Sequence, residues 1–401
     1  MKIVLVHNQY QQGGGEDVVF AQERRNLERA GHQVVAYHRS NLEIDNPAPL
    51  ARLALAKDTV WSSRTRRDFA ALLAREAPDI VHVHNTFVVI SPSIYSACKE
   101  HGIPVVQTLH NFRLMCPAAT FYRDGNICEA CADRGLWSAV RHGCYRGSRT
   151  ASATVALMLA THRLLGTWRD AIDSYIALTA FSRDKFIVAG IDPRKIFVKP
   201  NFIDPDPGPR TAVGDYAVFT GRLTPEKGVV TLLQAWKQLP GHCPLQIVGD
   251  GPERLRLKAF VSEHNIPGIA FRGRLTREET MATVKGARFA IVPSTYYEGF
   301  PMVIAEAMAC GVPIVCSRLG AMKEIVADGV TGLHFSAGDA DDLMRKVAWA
   351  WRHPSEMREM GAAARREYED YYTADRNYSL LMEIYERTLN RAGCPVPAVS
   401  N

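Results

Sequence analysis

Long apolar runs are absent from this 401-residue chain. A membrane-spanning helix needs ~20 consecutive apolar residues, and the best candidate, Thr154 to Ala160, falls far short. The chain opens directly on a strand-like segment, Met1-Lys2-Ile3-Val4-Leu5-Val6, and lacks the longer apolar core and cleavage site of a secretory signal. These absences predict a cytoplasmic protein whose membrane contact, if any, is peripheral. Strong charge of one sign is missing too. With 48 basic and 42 acidic residues the formal charge is +6, too mild to imply nucleic acid, and no nucleic-acid-binding motif is visible. Nothing in the sequence indicates an oligomeric state.

The apolar share of 47% and charged share of 22% are ordinary for a soluble globular protein, and the length suits two or three domains. Short apolar runs alternate with helical stretches. Ile3 to Val6, Gln33 to Tyr37, Ile80 to Val83, Pro104 to Leu109, Tyr175 to Leu178 and Ile196 to Val198 read as strands. Leu50 to Ala77 reads as one helical stretch. Pro205, Pro207, Gly208 and Pro209 lie in a linker that begins at Asn201, and a second set of strands follows: Tyr216 to Thr220, Leu245 to Val248, Ile269 to Phe271, Phe289 to Val292 and Ile314 to Cys316. Repeated βα units imply parallel sheets. Tyr378, Leu381, Ile384, Tyr385 and Leu389 recur at helical spacing, and the residues from Cys394 read as frayed.

The chain is organised around Phe289 to Ser317. An apolar strand runs into a polar loop, Ser294 to Gly299; Pro301 opens a helix, and Gly311-Val312-Pro313 ends it before the next strand. In such units ligands sit beyond the strand carboxyl ends. Backbone amides after Gly299 and Phe300 favour phosphate at the helix start. Glu298 and Glu306, eight positions apart, would repel that phosphate, so hydroxyls are their natural targets. A ligand with both phosphate and many hydroxyls is a nucleotide sugar.

Glu298-Gly299-Phe300-Pro301 with Glu306, followed by Ala309-Cys310-Gly311-Val312-Pro313, resembles the signature of the family-4 retaining glycosyltransferases of GT-B architecture. The resemblance is strongest over Tyr216 to Gly332. It implies an α/β protein of two Rossmann-like, doubly wound parallel-sheet domains facing a central cleft. The expected domains are residues 1–205 for the acceptor, 206–373 for the donor, and 374–401 as a helix crossing back to the first. It further implies that Glu298 faces the transferred sugar, that Glu306 holds the nucleotide ribose, and that Arg222 and Lys227 carry the donor diphosphate in place of a metal. His110, at a strand end, becomes a hydrogen-bond partner of the sugar. Gly13, Gly14 and Gly15 become a loop whose backbone can approach a diphosphate, and Gly221, Gly249 and Gly251 lie near the donor, though a plain structural turn explains such glycines as well. Glu16 and Asp17 either touch the acceptor or hold the helix start; His82, His84 and Asn85 read as acceptor-side or supporting.

The expected reaction is retaining transfer, without a catalytic cofactor, from a UDP- or GDP-sugar to a glycan or lipid-linked saccharide, in cell-surface polysaccharide synthesis. Two rivals share the βα units. One is a nucleotide-sugar epimerase. The other is a nicotinamide oxidoreductase, against which Gly13-Gly14-Gly15 gives no full G-x-G-x-x-G.

Cys116, Cys128, Cys131 and Cys144 are spaced C-x11-C-x2-C-x12-C within an insertion at about 112–150. Four thiolates suit a closed tetrahedral structural Zn²⁺; an iron–sulfur cluster, a disulfide or separate thiols are the alternatives. Arg52, Lys57, Arg64, Arg66, Arg67 and Arg75 surround Phe69, Leu72 and Leu73. That pattern reads either as a core-packed helix with a charged outer face or as a dock for anionic lipid.

Overall fold

The computed structural model describes residues 1–394 except 12, 45–47, 240 and 242, with only the backbone at Pro49 and Leu50. Gln12 of the glycine loop and the tail beyond Cys394 therefore lie outside the described residues. The chain divides into two compact units. The first comprises Met1–Phe121, Cys128–Pro200 and Asn377 onward; the second comprises Tyr122–Ile127 and Asn201–Arg376.

In chain order the strands are β1 (Lys2–Gln9), β2 (Gln33–Ser40), β3 (Ile80–Asn85), β4 (Val105–Leu109), β5 (Tyr122–Arg123), β6 (Asn126–Ile127), β7 (Ser174–Ala177) and β8 (Ile196–Val198). Then come β9 (Ala217–Thr220), β10 (Leu245–Val248), β11 (Ile269–Gly273), β12 (Phe289–Val292), β13 (Ile314–Ser317) and β14 (Gly332–Phe335). The first unit's sheet has the order β2-β1-β3-β4-β7-β8 and the second unit's β11-β10-β9-β12-β13-β14, with every pairing parallel. Strands covered on both faces read as unbroken apolar runs; Ile3 to Val6 and Phe289 to Ile291 are at most 1% exposed. Both expected sheets are therefore present.

Strand order decides where a site can form. It reverses between β1 and β3 in the first sheet and between β9 and β12 in the second. Crevices at the carboxyl ends beside such reversals are the usual ligand positions in open α/β sheets.

The helix Ala374–Arg391 buries Leu381, Ile384 and Tyr385 in the first unit's core with Ile3, Leu5, Leu27, Ile80 and Ile176. Each such side chain is worth roughly 1.5–3 kcal/mol. The single helical stretch expected over Leu50 to Ala77 is two helices, Pro49–Val60 and Ser63–Glu76. Ser62 causes the break: its Oγ accepts from the Thr65 amide at 3.3 Å and caps the second helix. Phe69 and Leu73 on that helix are core residues, while Arg66 bonds Ser96 and Glu100. The apolar side of this helix is thus packed inward. The sequence reading missed β14, the β5–β6 hairpin and the helix Arg149–Leu164, whose N-cap is Ser148.

Candidate active site

In the second unit the loops after β9 and β12 meet at the strand reversal. Gly228 makes this approach feasible: its φ is +70°, and a Cβ there would lie 1.9 Å from the Pro293 carbonyl oxygen. Lys227 then donates through Nζ to Oε1 of Glu298 at 2.6 Å. Ser294 Oγ donates to the same oxygen at 2.7 Å, and the Tyr296 hydroxyl donates to Oε2 at 2.6 Å. Glu298 is 6% exposed. Burial works to raise its pKa, but Lys227 and the two hydroxyls outweigh burial and hold it below the ordinary carboxylate range. Burial likewise opposes the Lys227 charge, and Glu298 more than compensates, raising that pKa. The result is a dry, ionised carboxylate with donors on both oxygens. Such a group accepts hydrogen bonds from a ligand; its lone pairs are too engaged for a good nucleophile.

Glu306, half-buried on the helix Met302–Ala309, is its opposite. Among the described residues its carboxylate has no hydrogen-bond partner, and burial raises its pKa with only Arg277 pulling it down. Pro301 caps the helix start, and Phe300 packs edge-on against Tyr372 at 5.7 Å. Arg222 is exposed beside β9 and, among the described residues, forms no ion pair. Gly249 and Gly251 have structural reasons. A Cβ on the first would lie 1.8 Å from the Gly221 oxygen, and on the second 2.5 Å from the Leu223 oxygen. Two Asp-x-Asp triplets occur in the unit, but Asp206 is held by Arg365 at 2.7 Å and Asp339 caps the helix Ala340–Arg352.

In the first unit Gly14 is the N-cap of the helix Gly15–Arg29, and a Cβ on it would meet nothing within 4 Å. Asp17 holds this start: Oδ2 accepts from the Gly14 amide at 2.7 Å, and Oδ1 lies 2.8 Å from His7 Nε2. Glu16 points elsewhere. Asn85 at the end of β3 donates to its Oε1 at 3.0 Å, and Asn85 also donates to the Asn8 carbonyl at 2.8 Å. Burial first, then Asp17, push the Glu16 pKa up to about 8 against the pull of Arg113. Arg113, which the sequence reading overlooked, lies over the Phe87 ring at 4.0 Å.

A raised carboxyl pKa has a definite sign in stability. The unfolded chain ionises Glu16 near 4.5, the folded chain only near 8, so folding loses stability as pH rises through that window. Glu16→Gln should therefore match wild type below pH 4.5 and become the more stable above it. The gain is at most about 1.4 kcal/mol per pH unit, reaching a plateau above pH 8. Thermal melts of both proteins across that range check this; a pH-independent difference refutes it.

His84 and His110 end neighbouring strands and stand 3.0 Å apart, Nδ1 to Nε2, with rings stacked. Burial lowers both pKa values, to about 4 for His84. Both line a cavity of about 60 Å³ together with Asn85, Phe87, Asn111 and Arg113. Behind His84 stand His82, expected beside it, and Glu23 and Lys199, neither of them singled out from the sequence. The available signal was periodicity: His82 and His84 share one strand face, and Glu23 lies two helical turns beyond Glu16.

Cys116, Cys128 and Cys144 all adjoin Cys131, whose thiol is pushed up to about 11, mainly by burial. Among the described residues no disulfide joins any of the nine cysteines. Among the described residues, however, the set with ligand atoms all within 4.8 Å of one another is Glu23, His82 and His84; the four sulfurs are not drawn that tight. In that histidine set Lys199 bonds Glu23, while Tyr385 and Thr108 bond His82, so hydrogen bonds already engage its ligand atoms. Ala119, Phe121, Asp124 and Arg146, around the cysteines, all have positive φ, which marks an irregular segment.

Residues 13–207 match the family described as Glycosyltransferase Family 4, and residues 211–367 match Glycosyl transferases group 1. The chain belongs to these family-4, group 1 glycosyltransferases. Alpha-maltose-1-phosphate synthase of Mycolicibacterium smegmatis is 25% identical, over 87% of this chain and 88% of that protein. GDP-mannose-dependent alpha-mannosyltransferase of the same organism is 29% identical, over 72% and 68%. An uncharacterized glycosyltransferase of Methanocaldococcus jannaschii is 35% identical over 33% of this chain, and the match spans only 38% of that relative's length. Sucrose-phosphate synthase from Thermosynechococcus elongatus has a TM-score of 0.72 at 18% identity, over 97% of this chain and 99% of that one. Anabaena HepE in complex with UDP-glucose has a TM-score of 0.68 at 18% identity, over 97% and 100%. The structural likenesses establish the GT-B fold class, and the family sets aside the nicotinamide oxidoreductase.

Proposed function

We propose that this chain is a retaining, metal-independent transferase that moves a sugar from a UDP- or GDP-sugar to a glycan or lipid-linked saccharide in polysaccharide synthesis. The observation that carries the reading is the pair of unlike carboxylates in the second unit. Glu298 is ionised and held by Lys227, Ser294 and Tyr296, whereas Glu306 is half-buried without a hydrogen-bond partner. The first suits the hydroxyls of the transferred sugar, the second the vicinal diol of a ribose. Relatives named for GDP-mannose and crystallised with UDP-glucose support such a donor. We assign residues 206–373 to the donor, 1–205, His110 among them, to the acceptor side, and 374–401, with the helix Ala374–Arg391, to the return to the first unit.

In this reading Arg222, Lys227 and the helix start at Pro301 receive the diphosphate, with Gly13, Gly14 and Gly15 offering backbone close to it. The bond from the anomeric carbon to the phosphate oxygen breaks through an oxocarbenium-like transition state. The acceptor oxygen bonds that carbon on the same face, and its proton passes to the departing phosphate oxygen. Glu298, His110 and Asn85 orient hydroxyls, and Glu16, carrying its proton at neutral pH, donates on the acceptor side. Exposed Arg52 and Leu53 on the helix Pro49–Val60 support peripheral contact with a lipid-linked acceptor.

A thermal-shift panel with UDP, GDP, ADP and NAD tests the donor class, because a ligand that binds only the folded chain raises its melting temperature. A selective rise with UDP or GDP is expected, and one with NAD alone overturns the reading. Consumption of the matching nucleotide sugar without any acceptor would instead mark an epimerase.

The convergence of three thiols on Cys131 supports a structural Zn²⁺ held by Cys116, Cys128, Cys131 and Cys144. Bound zinc would staple a segment of irregular backbone. Elemental analysis should find one zinc per chain, and chelation should lower the melting temperature while leaving nucleotide preference unchanged. Metal-free protein with an unaltered melting temperature refutes the site.

A further inference from the structure

Two buried side chains and a half-buried one form a line that leads into the cavity of the first unit. Glu23, 1% exposed on the helix Gly15–Arg29, places Oε1 3.0 Å from His84 Nε2. His84 Nδ1 lies 3.0 Å from His110 Nε2. His110 lines the cavity, and among the described residues its Nδ1 has no hydrogen-bond partner. The carboxylate is itself fixed. Lys199 Nζ donates to Oε2 at 2.8 Å and also to Asn377 Oδ1 at 3.0 Å, while His82 Nδ1 stands 3.1 Å from Oε1.

Donor and acceptor logic then runs in one direction. An ionised carboxylate only accepts, so His84 Nε2 must carry a proton. A neutral His84 therefore offers a lone pair at Nδ1. Neutrality follows from burial and from His82 alongside, which lower its pKa despite Glu23. The Nδ1 lone pair is matched only if His110 Nε2 bears the hydrogen. That leaves His110 Nδ1 unprotonated, as an acceptor.

We propose that Glu23 is a positioning residue: through His84 it selects the Nε2–H tautomer of His110, so that Nδ1 accepts a hydrogen bond from a hydroxyl of the transferred sugar. The sugar contact rests on the function proposed above; the tautomer does not. Without the line, His110 could turn an N–H toward the same hydroxyl, and the ring would then compete with the sugar's own donor.

The experiment is ¹⁵N NMR of the full chain carrying ¹⁵N-labelled histidine, with steady-state kinetics beside it. Wild type should show His110 protonated at Nε2 and unprotonated at Nδ1. Glu23→Gln together with Lys199→Met avoids leaving a buried ammonium unpaired, and His84→Gln is the second variant should the first not fold. Each should give a mixed or reversed His110 pattern. Turnover with the nucleotide sugar should fall roughly tenfold, the worth of about one hydrogen bond, with affinity for the free nucleotide unchanged. A wild-type His110 protonated at Nδ1, or variants with an unchanged pattern, overturns the proposal. Equal losses of nucleotide affinity and turnover would mark a merely structural role and also overturn it. The NMR pattern needs no substrate, so a failure of the glycosyl-transfer reading is distinguishable from a failure of this one.

Discussion

Glu298→Ala should abolish most turnover, by about 10²–10³-fold, while leaving nucleoside diphosphate binding measurable. The carboxylate is where four polar groups are organised: Lys227, Ser294, Tyr296 and, on the proposed reading, the sugar. Truncation removes the orienting acceptor and also leaves the half-buried Lys227 ammonium without its partner. Breaking a buried pair on one side costs about 3–5 kcal/mol, so some of the loss could come from unfolding alone. Glu298→Gln separates the two effects. It keeps the size and an acceptor oxygen, and it should still lose most turnover while melting closer to wild type. The pH behaviour gives a further check. Because the folded pKa of Glu298 is depressed, its stabilising contribution is full above the unfolded value near 4.5 and is lost as pH falls through the folded one. The acid limb of the stability profile should therefore flatten in Glu298→Gln. Wild-type turnover in both variants, with both folded, would remove Glu298 from the site.

Glu306→Ala should behave in the contrary way. Its expected loss is in nucleotide affinity, roughly 10²-fold for two hydrogen bonds to a charged acceptor. The thermal shift produced by the matching nucleotide should shrink accordingly. Stability without ligand should hold or rise, because the deleted carboxylate is half-buried, has its pKa raised by burial, and has no hydrogen-bond partner among the described residues. A destabilised variant with unaltered nucleotide affinity would show that Glu306 serves the fold. The two acids, eight positions apart and similar on paper, thus carry opposite expected signatures.

That difference shows where the sequence stops being informative. The parallel sheets were legible because buried strands such as Ile3 to Val6 and Phe289 to Val292 leave unbroken apolar runs between turn residues. The family was legible because Glu298, Glu306 and the glycines around them sit in one short unit with fixed spacing. The break at Trp61 and Ser62 was not, since it depends on a serine capping the turn that follows it, a signal easily lost inside a helical pattern. β14 was not either. Gly332 looks like a poor strand residue, and its place becomes plain only against the Ile314 oxygen, 2.1 Å from where a Cβ would sit.

By itself, then, the sequence determined the two parallel sheets and the chemistry available at their strand ends, because local periodicity and turn residues encode both. Tertiary structure alone decided which charges meet. Lys227 reaches Glu298 across 71 positions, Lys199 reaches Glu23 across 176, and Glu23 reaches His84 across 61. Strand order and helix packing set those meetings, and burial then turns each into a defined protonation state, because a buried charge persists only beside a partner.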